Sequence, residues 1–383
     1  MDKMSIKVLI IGNGNHQFIF HFVEWMKKYS QNAYEFDLLD TSMGIRKEYK
    51  HAYNTIYYSK KSTFLLKFRL LRSIYTIIMY NLKFWTIPKT YQIIHIQFVR
   101  NKLAYILFLK KKTKHLIASI WGSDFYRLKE SRRNSLKKIL DKADIITFTN
   151  KETYQEAYTC FNYNDQRYRI IRYGLQPLEV LKKLIETKTY CKIHFGIPEN
   201  NIIITIGYNG RPEQNHIKIL NLFGESNELM ALKKDLYFIF PITYGGDQSY
   251  IHKLKEALLD FPYKYILLEK FLPDREIAYL RKATDIFIQL QPTDQLSGAM
   301  IEHMYAGNIV ITGDWLPYSI IKRCGVYFRT ISRFEYLMDD VRYCIQNLPE
   351  ELQKVEMNHE KIYGLGGWPI NVKGWKEIYD YLN

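Results

Sequence analysis

Cysteine is scarce in this chain of 383 residues: Cys160, Cys191, Cys324 and Cys344 are the full set, and none stands at the short spacing of a zinc knuckle or redox pair. A disulfide framework and a structural zinc site are therefore not expected, and a reduced cytoplasmic setting is. Long apolar runs are also missing, because Lys and Arg interrupt every candidate for a bilayer span. The run Val8–Ile11 is too short, and the pair Lys27-Lys28 too late, for a signal peptide. Asp-x-Asp does not occur, so no metal site of that form is expected, and no short-period repeat or low-complexity segment interrupts the chain. Acidic residues vanish altogether between Glu48 and Asp124.

What is present is unevenly distributed. The net charge is +16, yet the chain up to Tyr190 carries about +19 and the remainder is slightly acidic. Such a split points to an anionic surface met by one part of the molecule, whether nucleic acid, phospholipid headgroups or an acidic acceptor. A hydrophobic content of 47% over this length can fill more than one core, so two domains are expected.

Short apolar runs alternate with helix-like stretches. Lys7–Gly12 ends in Gly12-Asn-Gly14-Asn-His16, and a helix pattern follows through Phe22, Trp25 and Met26. Strand, glycine loop and helix in that order suggest the first unit of a doubly wound sheet, although a lone Gly-x-Gly is a weak signal. Ile93–Gln97, Leu116–Ile120, Ile145–Thr149 and Tyr168–Gly174 read as further strands, with His95 more at home in a core than in a site. Gly174–Pro177 reads as a hinge. A second series starts at Ile202–Gly207 and continues through Leu236–Pro241, Lys264–Glu269, Asp285–Leu290 and Ile309–Thr312. The expected fold class is α/β, two doubly wound Rossmann-like domains.

The segment from Phe271 to Thr312 carries the most chemistry. It reads as helix, buried strand, polar loop with Asp294, second helix with Glu302, and another buried strand. The second helix begins near Ser297, Gly298 and Ala299, whose backbone N–H groups can face an anion. A carboxylate two turns in, at Glu302, can reach the two hydroxyls of a ribose. Together these form a pocket suited to a nucleotide diphosphate carrying a sugar. The pattern resembles the donor site of GT-B glycosyltransferases, in which two acids flank seven residues; Asp294 stands here for the usual Glu.

The resemblance is to family-4-type enzymes and covers most of the chain. It implies two Rossmann-like domains facing a cleft: an acceptor-side domain over residues 1–176, rejoined by a tail helix at 368–383, and a nucleotide-sugar domain over 177–367. In that family an Arg and, five residues later, a Lys hold the pyrophosphate; Arg211 and His216 fall on those positions. Arginine suits the task through its planar fork of donors, whereas histidine would donate with a pH-dependent charge. The Asn215-His216 ending and Pro241–Asp247 look closer to the acetamido-dideoxygalactose transferase of enterobacterial common antigen. In the first domain, Trp121-Gly122-Ser123-Asp124 replaces the His-Gly-Ser-Asp often found in the family, which removes an imidazole and leaves Asp124 as the best carboxylate there. Gly12, Gly14 and His16 would form the facing loop under the donor phosphates.

The resemblance further implies retention of configuration. With no Asp-x-Asp, and with Arg and helix N-termini to offset leaving-group charge, a metal-independent transfer of sugar to a glycan acceptor, lipid-linked in bacterial surface glycoconjugate synthesis, is expected, with no cofactor beyond the donor. Asp124 and Asp294 are the catalytic candidates, the latter on the hydroxyls of the moving sugar. The stretch Tyr58–Trp85 mixes cations with Leu and aromatics at helical spacing, which suits a peripheral site on the inner membrane face as well as it suits an ordinary domain helix. Two alternatives stand beside the transferase: a nucleotide-sugar epimerase of the same fold, and a non-enzymatic nucleic-acid binder using the basic half. Nucleic acid is not expected as a partner, since it leaves the ribose-and-phosphate pattern of the second half unexplained.

Overall fold

The computed structural model describes residues 5–42, 44–57, 78, 85–88, 91–99, 112–126, 130–161, 166–294 and 296–383. It divides into two compact units, residues 1–174 with 368–383, and residues 175–367. The basic stretch 58–85 lies outside the described residues except for Ile78 and Trp85.

The first unit is built on seven parallel strands: β1 (Ile6–Gly12), β2 (Tyr34–Asp40), β3 (Ile56–Tyr57), β4 (Tyr91–Gln97), β5 (Thr113–Ile120), β6 (Ile145–Phe148) and β7 (Tyr168–Ile170). Their order is β3-β2-β1-β4-β5-β6-β7, so the chain reverses its direction of winding between β1 and β4. Side chains alternate faces along each strand. Leu9, Ile11, Ile94 and Ile96 join Leu116 and Phe148 in one core layer. Val8, Ile10, Ile93 and Ile117 join Phe22 and Trp375 in the other. With both faces covered, the strands read as near-continuous apolar runs, which made β1, β4, β5 and β6 legible in the sequence. The sequence reading did not contain β2 and β3. The alternating acids of Tyr34-Glu-Phe-Asp-Leu-Leu-Asp hide the first, and the second has only two residues.

Helix Trp368–Tyr381 belongs to this unit. Trp368, Trp375 and Tyr379 are fully buried. Trp375 meets Phe22 edge-on at 5.2 Å, and its Nε1 donates to the carbonyl of Arg172 at 2.8 Å. Tyr379 shares a hydrogen bond of 2.8 Å with Nδ1 of His95, whose Nε2 lies 2.6 Å from the Ser119 hydroxyl. Burial pushes the His95 imidazole down to about 3. His95 is thus a neutral core histidine.

The second unit has six parallel strands: β8 (Ile202–Ile206), β9 (Leu236–Pro241), β10 (Lys264–Leu268), β11 (Ile286–Gln289), β12 (Ile309–Gly313) and β13 (Arg329–Ile331). The order β10-β9-β8-β11-β12-β13 puts its reversal between β8 and β11. Only β13, three residues long at the sheet edge, escaped the sequence pattern. All four cysteines are free thiols, and no helix among the described residues is long and apolar enough to cross a membrane.

Candidate functional site

In an open α/β sheet, loops leaving the strands on either side of the reversal diverge, and the crevice outside the strand ends is where ligands bind. In the second unit those loops follow β8 and β11, the segments carrying Arg211 and Asp294. They are tied together directly. The Gly207 N–H donates to the carbonyl of Ile288 at 3.0 Å, Asn215 Nδ2 to that of Leu290 at 2.6 Å, and Gln291 Nε2 to the Tyr208 hydroxyl at 3.1 Å. Gly207 itself sits at φ +64°, a left-handed turn that lets the chain leave β8 sharply.

Helix Gly298–Tyr305 starts on this edge. The Ser297 hydroxyl caps it by accepting the Met300 N–H, and the Ser297 N–H donates at 3.0 Å to Oδ2 of Asp294. The same oxygen accepts from Gln289 Nε2 at 2.9 Å and from the Tyr318 hydroxyl. Asp294 is therefore fixed in orientation at the helix entrance, where the positive end of the helix favours its charge. Leu296, just before the cap, holds φ +118°, a strained value for a branched residue that marks this turn as over-determined by its surroundings. The N–H groups of Gly298 and Ala299 have no acceptor among the described residues, as the first turn of a helix leaves them.

Glu302 lies further along the same helix and is almost completely buried. Its Oε2 accepts from Arg281 Nε at 3.0 Å, and the guanidinium also approaches His303 Nε2 at 3.1 Å. His303 stacks on Phe287 with centroids 3.9 Å apart and shares its Nδ1 with Asn308. Burial raises the Glu302 carboxyl and Arg281 pulls it back. Tyr244 stands beside this pair with 53% of its surface exposed; crowding by neighbouring atoms and the Glu302 charge raise its hydroxyl, and Asn209, Arg281 and Arg211 oppose the rise. Arg211 lies across Gly245, where a Cβ would come within 3.0 Å of its Nε. Its guanidinium has no ion-pair partner among the described residues. The structure thus brings Arg211, Asp294, Ser297, Gly298, Ala299 and Glu302 to one strand-end edge.

It does not place His216 there as a phosphate ligand. His216 is fully buried at the first turn of helix His216–Glu225, with Nδ1 at 3.2 Å from the Tyr250 hydroxyl. Its Nε2 is turned toward Gly207, where a Cβ would lie 2.7 Å away. Burial pushes the imidazole down to about 3, so it carries no charge near neutrality. The expected stand-in for lysine is a buried, uncharged imidazole whose Nε2 has no hydrogen-bond partner among the described residues.

The first unit's strand ends also differ from expectation. Gly12 is a close-packing position, since a Cβ would fall 2.6 Å from Ile19. The Gly14 N–H donates at 2.9 Å to Asp40, and Asp40 also accepts from the backbones of Ser42 and Gly44. The Gly14 N–H is thus already taken by the protein's own carboxylate. His16 caps helix Gln17–Tyr29 through Nδ1 and meets Trp121 edge-on at 4.8 Å. Trp121 packs further against Phe18, Phe98 and Tyr173. Asp124 is buried: Oδ1 accepts the N–H groups of Trp121 at 2.9 Å and Gly122 at 2.8 Å, and Oδ2 that of Val99 at 2.9 Å. Burial pushes its carboxyl up to about 7 against the pull of those donors. With both oxygens holding two loops together, Asp124 has a positioning role in this structure.

Residues 7–150 match the family model described as glycosyl transferase 4-like. A glycosyltransferase from Rickettsia africae superposes with a TM-score of 0.72 at 14% identity, covering 99% of both chains. Anabaena HepE in complex with UDP-glucose gives 0.72 at 12% identity, over 98% of this chain and 100% of that one. Sucrose-phosphate synthase from Thermosynechococcus elongatus gives 0.70 at 12%, over 98% and 99%. The fold is that of the GT-B glycosyltransferases. No curated protein matches the sequence.

Several residues of this GT-B edge escaped the sequence reading. Arg281 looked like one of several cations on an amphipathic helix, and only its 5% exposure reveals the pairing with Glu302. Tyr318 and Gln289, which hold Asp294, lie 24 and 5 residues from it in sequence. Tyr244 could have been suspected from the adjacent Gly245-Gly246, since paired glycines admit close approach. Among the described residues no three His, Cys, Asp or Glu side chains gather as a metal set.

Proposed function

We propose that this protein is a glycosyltransferase that takes a sugar from a nucleoside diphosphate donor held on the second unit and passes it to a glycan acceptor. The convergence of Arg211, Glu302 and the N–H groups of Gly298 and Ala299 on the β8/β11 reversal carries this reading. A guanidinium and a helix N-terminus suit the diphosphate, and the Glu302 oxygen not taken by Arg281 suits ribose hydroxyls. Asp294, pinned by Tyr318, Gln289 and Ser297, would orient hydroxyls of the transferred sugar. In the transfer, the bond from the anomeric carbon to the phosphate oxygen breaks and a bond to the acceptor oxygen forms. The acceptor proton passes to the departing phosphate, and the configuration is retained. Arg211 and the helix N–H groups offset the charge growing on the leaving group, so no metal is required.

The acceptor we propose is lipid-linked, in bacterial surface glycoconjugate synthesis, with the basic first unit against an anionic membrane on its inner face. The charge of about +19 before Tyr190 supports this part. The likeness of the Asn215-His216 and Pro241–Asp247 segments to the acetamido-dideoxygalactose transferase makes an amino-deoxy sugar one candidate for the donor. Titration of the purified protein with UDP, GDP and TDP tests the core claim, and binding of none of them overturns it. A panel of nucleotide sugars scored for hydrolysis, with and without a chelator, then reads sugar and metal dependence. Flotation with anionic vesicles that weakens as salt rises supports the membrane part, and no flotation at low salt refutes it.

A further inference from the structure

Beyond the Glu302–Arg281 pair runs a chain of hydrogen bonds whose direction can be worked out from its far end. A backbone carbonyl only accepts, so the Asn308 amide meets the Thr284 carbonyl through Nδ2. That leaves Asn308 Oδ1 facing His303 Nδ1 at 2.9 Å, and since an amide oxygen accepts, the imidazole proton sits on Nδ1. Nε2 then carries the lone pair. Nη1 of Arg281 stands 3.1 Å from it, and a guanidinium can only donate. The two ends of the chain thus demand the same tautomer. Each link is held in place. The His303 ring is fully buried and stacks on Phe287 with planes within 12°, and the Asn308 N–H donates to the His303 carbonyl at 3.0 Å. Thr284 is fixed in turn, its hydroxyl donating to the Leu280 carbonyl at 2.8 Å.

We infer that His303 is a positioning residue for ribose recognition: as the Nδ1–H tautomer it fixes Arg281, and through Arg281 the Glu302 carboxylate that meets the ribose hydroxyls. Arg281 is gripped at two points, by Glu302 Oε2 on Nε at 3.0 Å and by His303 Nε2 on Nη1. A planar fork held at two points cannot turn without breaking one of them. An apolar side chain in place of His303 would leave a single anchor, about which guanidinium and carboxylate could pivot together. It would also strand a buried donor, which is costly. Burial foremost, and then the Arg281 charge, hold the imidazole far below its ordinary range against the pull of Asn308, which keeps the Nε2 lone pair available. The ribose end of this chain rests on the transferase reading; the tautomer and its grip on Arg281 do not.

Two measurements on the intact protein test the assignment. Long-range proton–nitrogen NMR of the imidazole rings, with His303→Gln identifying the signal, should show this ring protonated at Nδ1 and bare at Nε2 near neutral pH. A proton on Nε2 overturns the proposal. The second measurement compares affinity for whichever of UDP, GDP and TDP binds with affinity for its 2′,3′-dideoxy form. His303→Leu should weaken the first about tenfold and leave the second within about twofold, because a ligand without those hydroxyls makes no use of Glu302. His303→Gln, whose Oε1 can stand in for Nε2, should restore most of the loss. His303→Asn, whose shorter amide reaches only toward Asn308, should not. A histidine that merely fills the core would shift both nucleotide forms together, and that result, or no shift in either, overturns the proposal. If His303→Leu fails to fold, His303→Gln and His303→Asn carry the same comparison, and equal affinities in the two overturn it. Failure of the unmodified protein to bind any of the three nucleotides overturns the transferase reading and the ribose role with it, while the nitrogen signals still decide the grip on Arg281.

Discussion

The strand-end edges of the two sheets bear similar residue types, a glycine-bearing loop, a histidine and an aspartate near a helix start, yet use them in opposite ways. In the first unit, Asp124 ties Val99 to Trp121 and Gly122, and Asp40 fills the loop of Gly14. The two carboxylates there are tied up by the protein's own backbone, and aromatic rings from Phe18 to Tyr173 occupy the space between, although the buried Trp121 Nε1 has no hydrogen-bond partner among the described residues. In the second unit, the Gly298 and Ala299 N–H groups and the Arg211 guanidinium remain without protein partners among the described residues. An edge whose carboxylates are held by its own backbone is built as a scaffold, and an edge that leaves a guanidinium and helix N–H groups over is built to bind.

Variants at four sites probe that contrast, and the largest effect is expected at the buried pair. Arg281→Ala strands the Glu302 charge, which should cost about 3–5 kcal/mol in denaturant melts and abolish measurable nucleotide binding. The double variant Arg281→Met with Glu302→Leu should recover most of the stability but none of the affinity. Full recovery of both would make the pair a structural strut without a ligand role. Asp124→Ala should cost about 1–3 kcal/mol for each backbone donor it leaves dry, less whatever water restores. Nucleotide affinity should be unchanged, because the effect is confined to the first unit. A stable Asp124→Ala variant with turnover abolished would return Asp124 to the catalytic set.

The fold was legible because buried parallel strands leave runs such as Val8–Ile11 and Ile202–Ile206 that nothing else explains. The site was legible only where spacing itself carries the chemistry, as with Asp294, Ser297 and Glu302 on one loop-helix unit. Depth, by contrast, leaves no mark on a shared sequence position. His216 occupies the place of a lysine, yet helix His216–Glu225 enters the core at that residue, and nothing in the neighbouring letters reports its zero exposure. Asp124 shows the same limit, since a turn aspartate and a catalytic one differ in which backbone groups reach them, a property of the loops after β4 and β5 together. Partners drawn from other elements, such as Arg281 and Tyr318, are set by packing and leave no local trace.

Arg211→Ala should weaken nucleotide diphosphate binding about tenfold while leaving the melting midpoint in place, because its guanidinium holds no protein partner. An unchanged affinity would remove it from the site and shift the phosphate to the helix N-terminus alone.

The smallest effect is expected for His216, and its sign separates the two roles. A phosphate-binding imidazolium would make the protein's advantage over His216→Gln in nucleotide affinity grow as pH falls from 8 to 6. A neutral core imidazole predicts that this ratio stays flat, within about twofold, because the folded pKa near 3 keeps the ring uncharged throughout. The pH dependence belongs to stability instead. The unfolded ring takes up a proton near 6.5 while the folded one does not until about 3, so the unfolded state holds more protons between those values. Stability should therefore be lost as pH falls through that window. His95 adds to the same trend in the first unit, since its folded value is also about 3. His216→Gln should blunt the acid loss of the second unit but not of the first, read by following each unit's melting separately. If the substitution instead left the second unit's acid sensitivity intact and flattened only the pH profile of nucleotide affinity, His216 would belong in the donor site and the contrast between the two edges would have to be redrawn.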